Sequence, residues 1–229
     1  MITLGIDTAT PDTAVAVCEG GEALGERRIG PGPDGRPRHG PELIGLVEEL
    51  VEGLGDWDRV GLVAVGVGPG SFTGIRIGVA TARAVAQARG LPIASVPSTG
   101  ALAAGIGQGE ARTRVAVIDA RRSEIFAAAL APGEQAAGAP VVAAPDRLVE
   151  VCPGAAGGLA AGDGAIRFRG VLEGLGIEVP ADGDPAHRLS ARHVCILGAR
   201  ADSGPPEDVR PMYLRRPDAE RWRERDGSD

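Results

Sequence analysis

The stretch Gly66 to Gly74, reading GVGPGSFTG, lies between two segments that leave little choice of fold. Before it, Val60 to Val67 is a near-continuous apolar run of strand length; such a run must be buried on both faces, which requires helices on either side. After it, Ile75 to Arg89 reads as a helix in which Gly74, Gly78, Ala82 and Ala86 recur every four residues. That ridge is smooth enough for another helix to approach closely. Pro92 to Val96 closes the unit as a further strand, so the chain is α/β.

The segments upstream fit the same architecture. Ile2 to Ile6, Thr13 to Cys18 and Glu22 to Ile29 read as three antiparallel strands, and Gly30 to Pro41 as a loop rich in Pro and Gly. Leu43, Leu46, Val47, Leu50, Val51 and Leu54 then fall on one face of a helix that Gly53 and Gly55 end. Downstream, a second lobe opens near Ser98 with an Ala-rich helix through Ile106. It continues with strands Arg114 to Asp119 and Glu124 to Leu130, a Gly-Asp-Gly turn at 162–164, a weak helix from Ile166 to Leu175 and a helix from Ala191 to Asp202. This divides the chain into a first lobe (1–97), a smaller second lobe (98–209) and a tail (210–229) that is frayed or returns to the first lobe.

Aromatic residues make up only 3% of the 229 positions, so the core is built from Val, Leu, Ile and Ala. The net charge of −7 argues against a chain that grips nucleic acid by itself, because neutralising phosphates needs a basic surface. All 24 basic residues are Arg, which brings ion pairing but no catalytic amine. Cys18, Cys152 and Cys195 form no CxxC pair and suggest neither a disulfide framework nor a zinc site, which points to a reducing compartment. The first residues lack the basic region of a secretory signal, and no apolar run reaches the ~18 residues of a membrane span. The expected location is the cytoplasm.

Two features suggest phosphate chemistry without establishing it. Asp7 and Thr8 end the first strand where an actin-like ATPase begins its first phosphate hairpin, although an Asp that merely caps a turn reads the same way. Gly68, Gly70 and Ser71 permit close backbone approach at a helix N-terminus, where partial positive charge favours anions. The loop has no Gly-Lys-Ser/Thr ending, however, and the chain has no Lys to supply one. Ser71 or Thr73 would cap the helix.

Taken together, IDTAT at 6–10, AVGVGPGSFTGIRIG at 64–78, IDAR at 118–121 followed by Glu124-Ile125-Phe126, and PMYLR at 211–215 resemble the TsaB family, also called YeaZ. The resemblance runs from the first residues to Arg215 and is weakest between Pro132 and Ser190. It implies a two-lobed actin-like (ASKHA, ribonuclease H-like) fold with a reduced second lobe. It also implies a part in making threonylcarbamoyladenosine beside the tRNA anticodon, with tRNA held through a complex. In that family the chain is not the catalyst: it pairs with the paralogue TsaD, the ATPase TsaE docks on the pair, and the pairing face also serves a homodimer.

The resemblance assigns that face to the two helices, here Leu43, Leu46, Val47 and Leu50 with Gly74, Arg76, Gly78, Ala82 and Arg83. No catalytic or metal-binding residue is expected, because TsaD-like catalysts use an HxxxH pair, whereas this chain has only His39, His187 and His193. Asp7, Thr8, Gly68, Gly70, Ser71 and Asp119 would form a vestigial nucleotide site. At the start of the second lobe, Asp119-Ala120-Arg121 replaces the Asp-Gly of an actin-like kinase, so no cofactor is required and weak nucleotide binding stays open. A self-sufficient ATPase or peptidase is the competing class.

Overall fold

Every residue of the first strand, β1 (Ile2–Asp7), is buried, and its alternation sorts the molecule into layers. Ile2, Leu4 and Ile6 project into a core shared with the first two helices, whereas Gly5 lies under a helix from the far end of the chain. The computed structural model describes residues 1–107 and 111–215.

β2 (Thr13–Glu19) and β3 (Glu22–Ile29) continue β1 as an antiparallel meander. Helix α1 (His39–Glu52) then leads to β4 (Val60–Gly66), α2 (Phe72–Arg89) and β5 (Ile93–Val96), with β4 parallel to both β1 and β5. After α3 (Ser98–Gly105) the second sheet begins with β6 (Arg114–Arg121), β7 (Glu124–Leu130) and β8 (Val141–Ala143), again antiparallel. The short α4 (Leu148–Val151) precedes β9 (Leu159–Ala161), which runs parallel to β6. α5 (Asp163–Arg167), α6 (Arg169–Gly174), α7 (Ala191–Gly198) and β10 (Ser203–Gly204) complete the elements.

The first sheet has the order β10-β5-β4-β1-β2-β3 and the second the order β8-β7-β6-β9. In each, a meander of three strands is followed by a parallel fourth strand beside the first. The second sheet is thus a shortened copy of the first, and the lobes are an architectural duplication.

Several boundaries differ from the sequence reading. Helix α2 starts at Phe72 because Ser71 caps it, its hydroxyl accepting the Gly74 N–H at 3.2 Å. The expected helix Ile166 to Leu175 is two short helices meeting at Phe168, and the expected helix to Asp202 stops at Gly198. The expected lobe boundary at 209 also changes, because α7 packs on β1, β2 and β4 and β10 pairs with β5. Both belong to the first lobe. Gly5 permits this return, since a Cβ there would lie 2.6 Å from the Cys195 sulfur and 2.7 Å from the Ala191 carbonyl oxygen.

α2 lies equally close to the sheet on its other side. A Cβ on Gly74 would sit 2.1 Å from the Thr8 carbonyl oxygen, and one on Gly78 would sit 2.3 Å from the Thr8 hydroxyl. Gly74→Ala should therefore cost about 2–3 kcal/mol in urea unfolding, since the clash is with main chain and cannot be relieved by a rotamer. Ala84→Ser on the exposed side should stay within about 0.5 kcal/mol.

Candidate functional site: the interlobe cleft and the outer helix face

The Gly66 to Gly74 loop is held from beneath by the side chains expected to face a nucleotide. Asp7 Oδ1 accepts the Ala9 N–H at 2.8 Å and Oδ2 accepts the Ser98 hydroxyl at 2.6 Å. Ser98 in turn accepts the Gly68 N–H at 3.2 Å and donates its own N–H to the Gly68 carbonyl at 2.8 Å. Gly66 leaves the space this carboxylate fills, because a Cβ there would lie 1.7 Å from Asp7 Oδ2. Thr8 is also turned inward and donates to the Gly74 carbonyl at 2.7 Å. Ser98 was not singled out from the sequence, where it marks only the start of the second lobe.

Of the six positions expected for a vestigial nucleotide site, Gly70, Ser71 and Asp119 line the cleft between the lobes, whereas Asp7, Thr8 and Gly68 do not. The cleft has a volume of about 730 Å³. Its first-lobe wall includes Ala9, Pro11, Phe72 and Arg76, and its second-lobe wall includes Ile118 to Arg122 and Asp163. The Asp119 side chain is only 6% exposed and is engaged three ways: by Arg167 at 2.7 Å, by the Arg121 N–H at 2.8 Å and by the Arg121 guanidinium at 3.3 Å. Asp163 Oδ1 accepts the N–H groups of Asp119 and Gly164, so the Gly-Asp-Gly segment is a brace for β6 and not only a turn. Burial is the main cause that raises the Asp163 carboxyl above the usual carboxylate range.

Arg121, Arg122 and Ser123 all have positive φ, of 64°, 52° and 59°. Tight hairpin turns of this hand normally carry Asn or Gly, so three larger residues here store backbone strain where β6 meets β7. None of the three histidines lines the cleft. His39 is buried with Nδ1 2.8 Å from the Thr13 hydroxyl, and burial holds its pKa below the usual histidine value. His187 contacts the Gly162 and Pro180 main chain, and His193 is buried beside Gly105. Among the described residues no cluster of three His, Cys, Asp or Glu could hold a metal ion, and no helix is long and apolar enough to cross a membrane.

The residues expected on the pairing face require correction. Leu43, Leu46, Val47 and Leu50 are buried with β1, β2 and β4, and Gly74, Gly78 and Ala82 are buried between α2 and the sheet. All seven are consumed by the chain's own core, so a bulky substitution such as Ala82→Trp would disrupt the fold. Among the described residues the opposite faces are exposed. α1 shows Pro41, Ile44 and Gly45, with Ile44 47% exposed, and α2 shows Thr73, Arg76, Ala80 and Ala84 with Ile77 and Arg83 half-buried. The Arg76 guanidinium lies 3.7 Å above the Phe72 ring and donates to the Tyr213 hydroxyl at 2.9 Å.

Two lobes of the same strand order, with a glycine-rich loop and a carboxylate-bearing hairpin facing each other across a cleft, define a two-lobed actin-like (ASKHA, ribonuclease H-like) protein. Two solved structures share the fold: YeaZ from Pseudomonas aeruginosa, and an uncharacterized protein described as similar to peptidase YEAZ from Pseudomonas aeruginosa. They are 27% and 29% identical with TM-scores of 0.73 and 0.74, and each match covers 93% of this chain and 99% of the other. The family model described as "TsaD: tRNA N6-adenosine threonylcarbamoyltransferase" matches residues 36–169. The tRNA threonylcarbamoyladenosine biosynthesis protein TsaB of Escherichia coli is 33% identical over 125 residues, 54% of this chain and 52% of that one. An uncharacterized protein of Mycobacterium tuberculosis is 35% identical over 218 residues, covering 94% of this chain and 92% of its own length. The chain belongs to the TsaB (YeaZ) family.

Burial raises the Asp7 carboxyl to about 6, against the pull of its Ser98 and Ala9 hydrogen bonds. The folded state thus binds this proton more tightly than the unfolded chain does. The stability this group supports is full at low pH and declines as pH rises from about 4 to about 6, by about 3 kcal/mol. Asp7→Asn should remove that decline, so its urea midpoints across this range should fall less than those of the wild type. Parallel pH profiles would contradict the assignment.

Proposed function

We propose that this chain is a non-catalytic subunit in the synthesis of threonylcarbamoyladenosine on tRNA, acting by pairing with a TsaD-type catalytic subunit in the cytoplasm. The observation that carries the reading is the outer face of α1 and α2. Its Ile44, Gly45, Ile77, Ala80 and Ala84 form an apolar, small-residue surface edged by Arg76 and Arg83, the composition that allows close helix packing with Arg at the margin. The same face would serve a homodimer when the partner is absent, and a TsaE-type ATPase would dock on the pair. The net charge of −7 supports a division of labour in which tRNA is held chiefly by the assembled complex.

The proposed lack of catalysis rests on how the acids in the cleft and behind its loop are used. Asp7 and Asp163 accept hydrogen bonds that hold backbone in place, and Asp119 is neutralised by two arginines. Asp119 and Asp163 are thus engaged by arginines and main-chain N–H groups, and the hydroxyl beside Asp7, that of Ser98, is held between Asp7 and the Gly68 N–H, away from the cleft lining. A second reading, nucleotide sensing without hydrolysis, is favoured by one observation, the cleft of about 730 Å³ with the α2 N-terminus on its wall. Calorimetry of the pure chain with ADP separates the two readings: a bare scaffold gives no saturable heat.

Ile44→Glu and Ala80→Arg should each abolish co-elution with a TsaD partner in sizing chromatography. Both positions are exposed, so the urea unfolding of the isolated chain should shift by no more than about 0.5 kcal/mol. Retained co-elution in both variants would refute the face. Tight tRNA binding by the isolated chain at moderate salt would refute the division of labour.

A further inference from the structure

The two lobes share a permanent seam and an open mouth. At the seam, Ala14, Ala16 and Ala64 of the first sheet and Ala116, Ile118 and Phe126 of the second form one cluster with residues of α3 and α7. At the mouth the walls stand apart around the cleft, and residues 209–215 cross it.

The crossing is fastened to both lobes. Val209 is buried in the first-lobe core and Met212 packs against it, while the Met212 N–H donates to the Val67 carbonyl at 2.7 Å. Tyr213 stacks on Phe72 with centroids 5.1 Å apart and accepts a hydrogen bond from Arg76 on α2. Leu214 packs against the seam cluster, and Arg215 pairs with Glu124 at the start of β7, 2.7 Å away. The Arg215 side chain is only 20% exposed, so the pair is partly shielded from solvent.

We propose that residues 209–215 are a strap that closes the mouth of the cleft and fixes the angle between the lobes, a task that a bound ligand could otherwise perform. The strap engages the first lobe through Val67, Phe72 and Arg76 and the second lobe through Glu124, at the strained β6–β7 turn. Holding the Glu124 end restrains the hairpin that carries Arg121 and Arg122 into the cleft. The inference concerns the cleft alone and does not depend on the partner assigned to the outer helix face.

The test is amide hydrogen exchange of the full chain, read at residues 118–126. Arg215→Gln and Glu124→Gln should each speed exchange there by about fivefold, and the double variant should exchange no faster than either single one. Tyr213→Ala should produce a comparable increase in the same hairpin, although its ring and hydroxyl engage Phe72 and Arg76 on the other lobe; this non-local effect separates a strap from a local ion pair. Unchanged exchange at 118–126 in Arg215→Gln and Tyr213→Ala would overturn the proposal. So would a rise that extends equally to β1 and β4, because that pattern reports global destabilisation.

Discussion

The packing of α2 on the end of β1, where Thr8 rests on Gly74 and Gly78, is the constraint from which the rest of the molecule follows. With no side chain at either glycine, the helix comes close enough for the Thr8 hydroxyl to reach a carbonyl of its first turn. That contact fixes the direction in which α2 leaves the glycine-rich loop. It sets one wall of the cleft through Ser71, Phe72 and Arg76, and it determines which face of the helix is left exposed. The loop is then braced from behind by Asp7 and Ser98, so a carboxylate in the position of a phosphate-site acid serves as an internal strut.

Much of the fold was legible because its signals are periodic. The apolar run of β4, the single stripe of α1 and the three short strands at the start each repeat at a spacing that has one structural meaning. Which side of α2 the chain's own core consumes was not legible at residue level, and the reason is physical. α2 carries small residues on both sides: Gly74, Gly78, Ala82 and Ala86 face inward, whereas Ala80, Ala84 and Ala88 face outward. A ridge of small residues shows that something approaches closely without showing whether it is the chain's own sheet or a partner. For α1 the ordinary rule, that an apolar stripe faces the core, was the better guide than the resemblance.

The lining of the cleft was legible only in part, for a similar reason. Gly70 and Ser71 in the loop before α2 and Asp119 near the end of β6 line the cleft, but a strand-ending Asp such as Asp7 can turn either toward the cleft or toward the loop behind it. Gly66 decides the matter by leaving room for the carboxylate. The return of α7 to the first sheet and the path of residues 209–215 across the cleft join residues far apart in the chain, and no local pattern encodes them. Tail residues 216–229, expected to be frayed or to return to the first lobe, lie outside the described residues.

Two surfaces are distinct: a cleft engaged by the chain's own acids, arginines and strap, and an outer helix face that is largely exposed among the described residues. A photo-crosslinking residue placed in turn at Ala80, Ile44 and Arg121, in the presence of a TsaD partner, tests that separation most directly. Crosslinks to the partner from positions 80 and 44, and none from 121, are the predicted result. Crosslinking from 121 with none from 80 or 44 would contradict it and make the cleft the working surface.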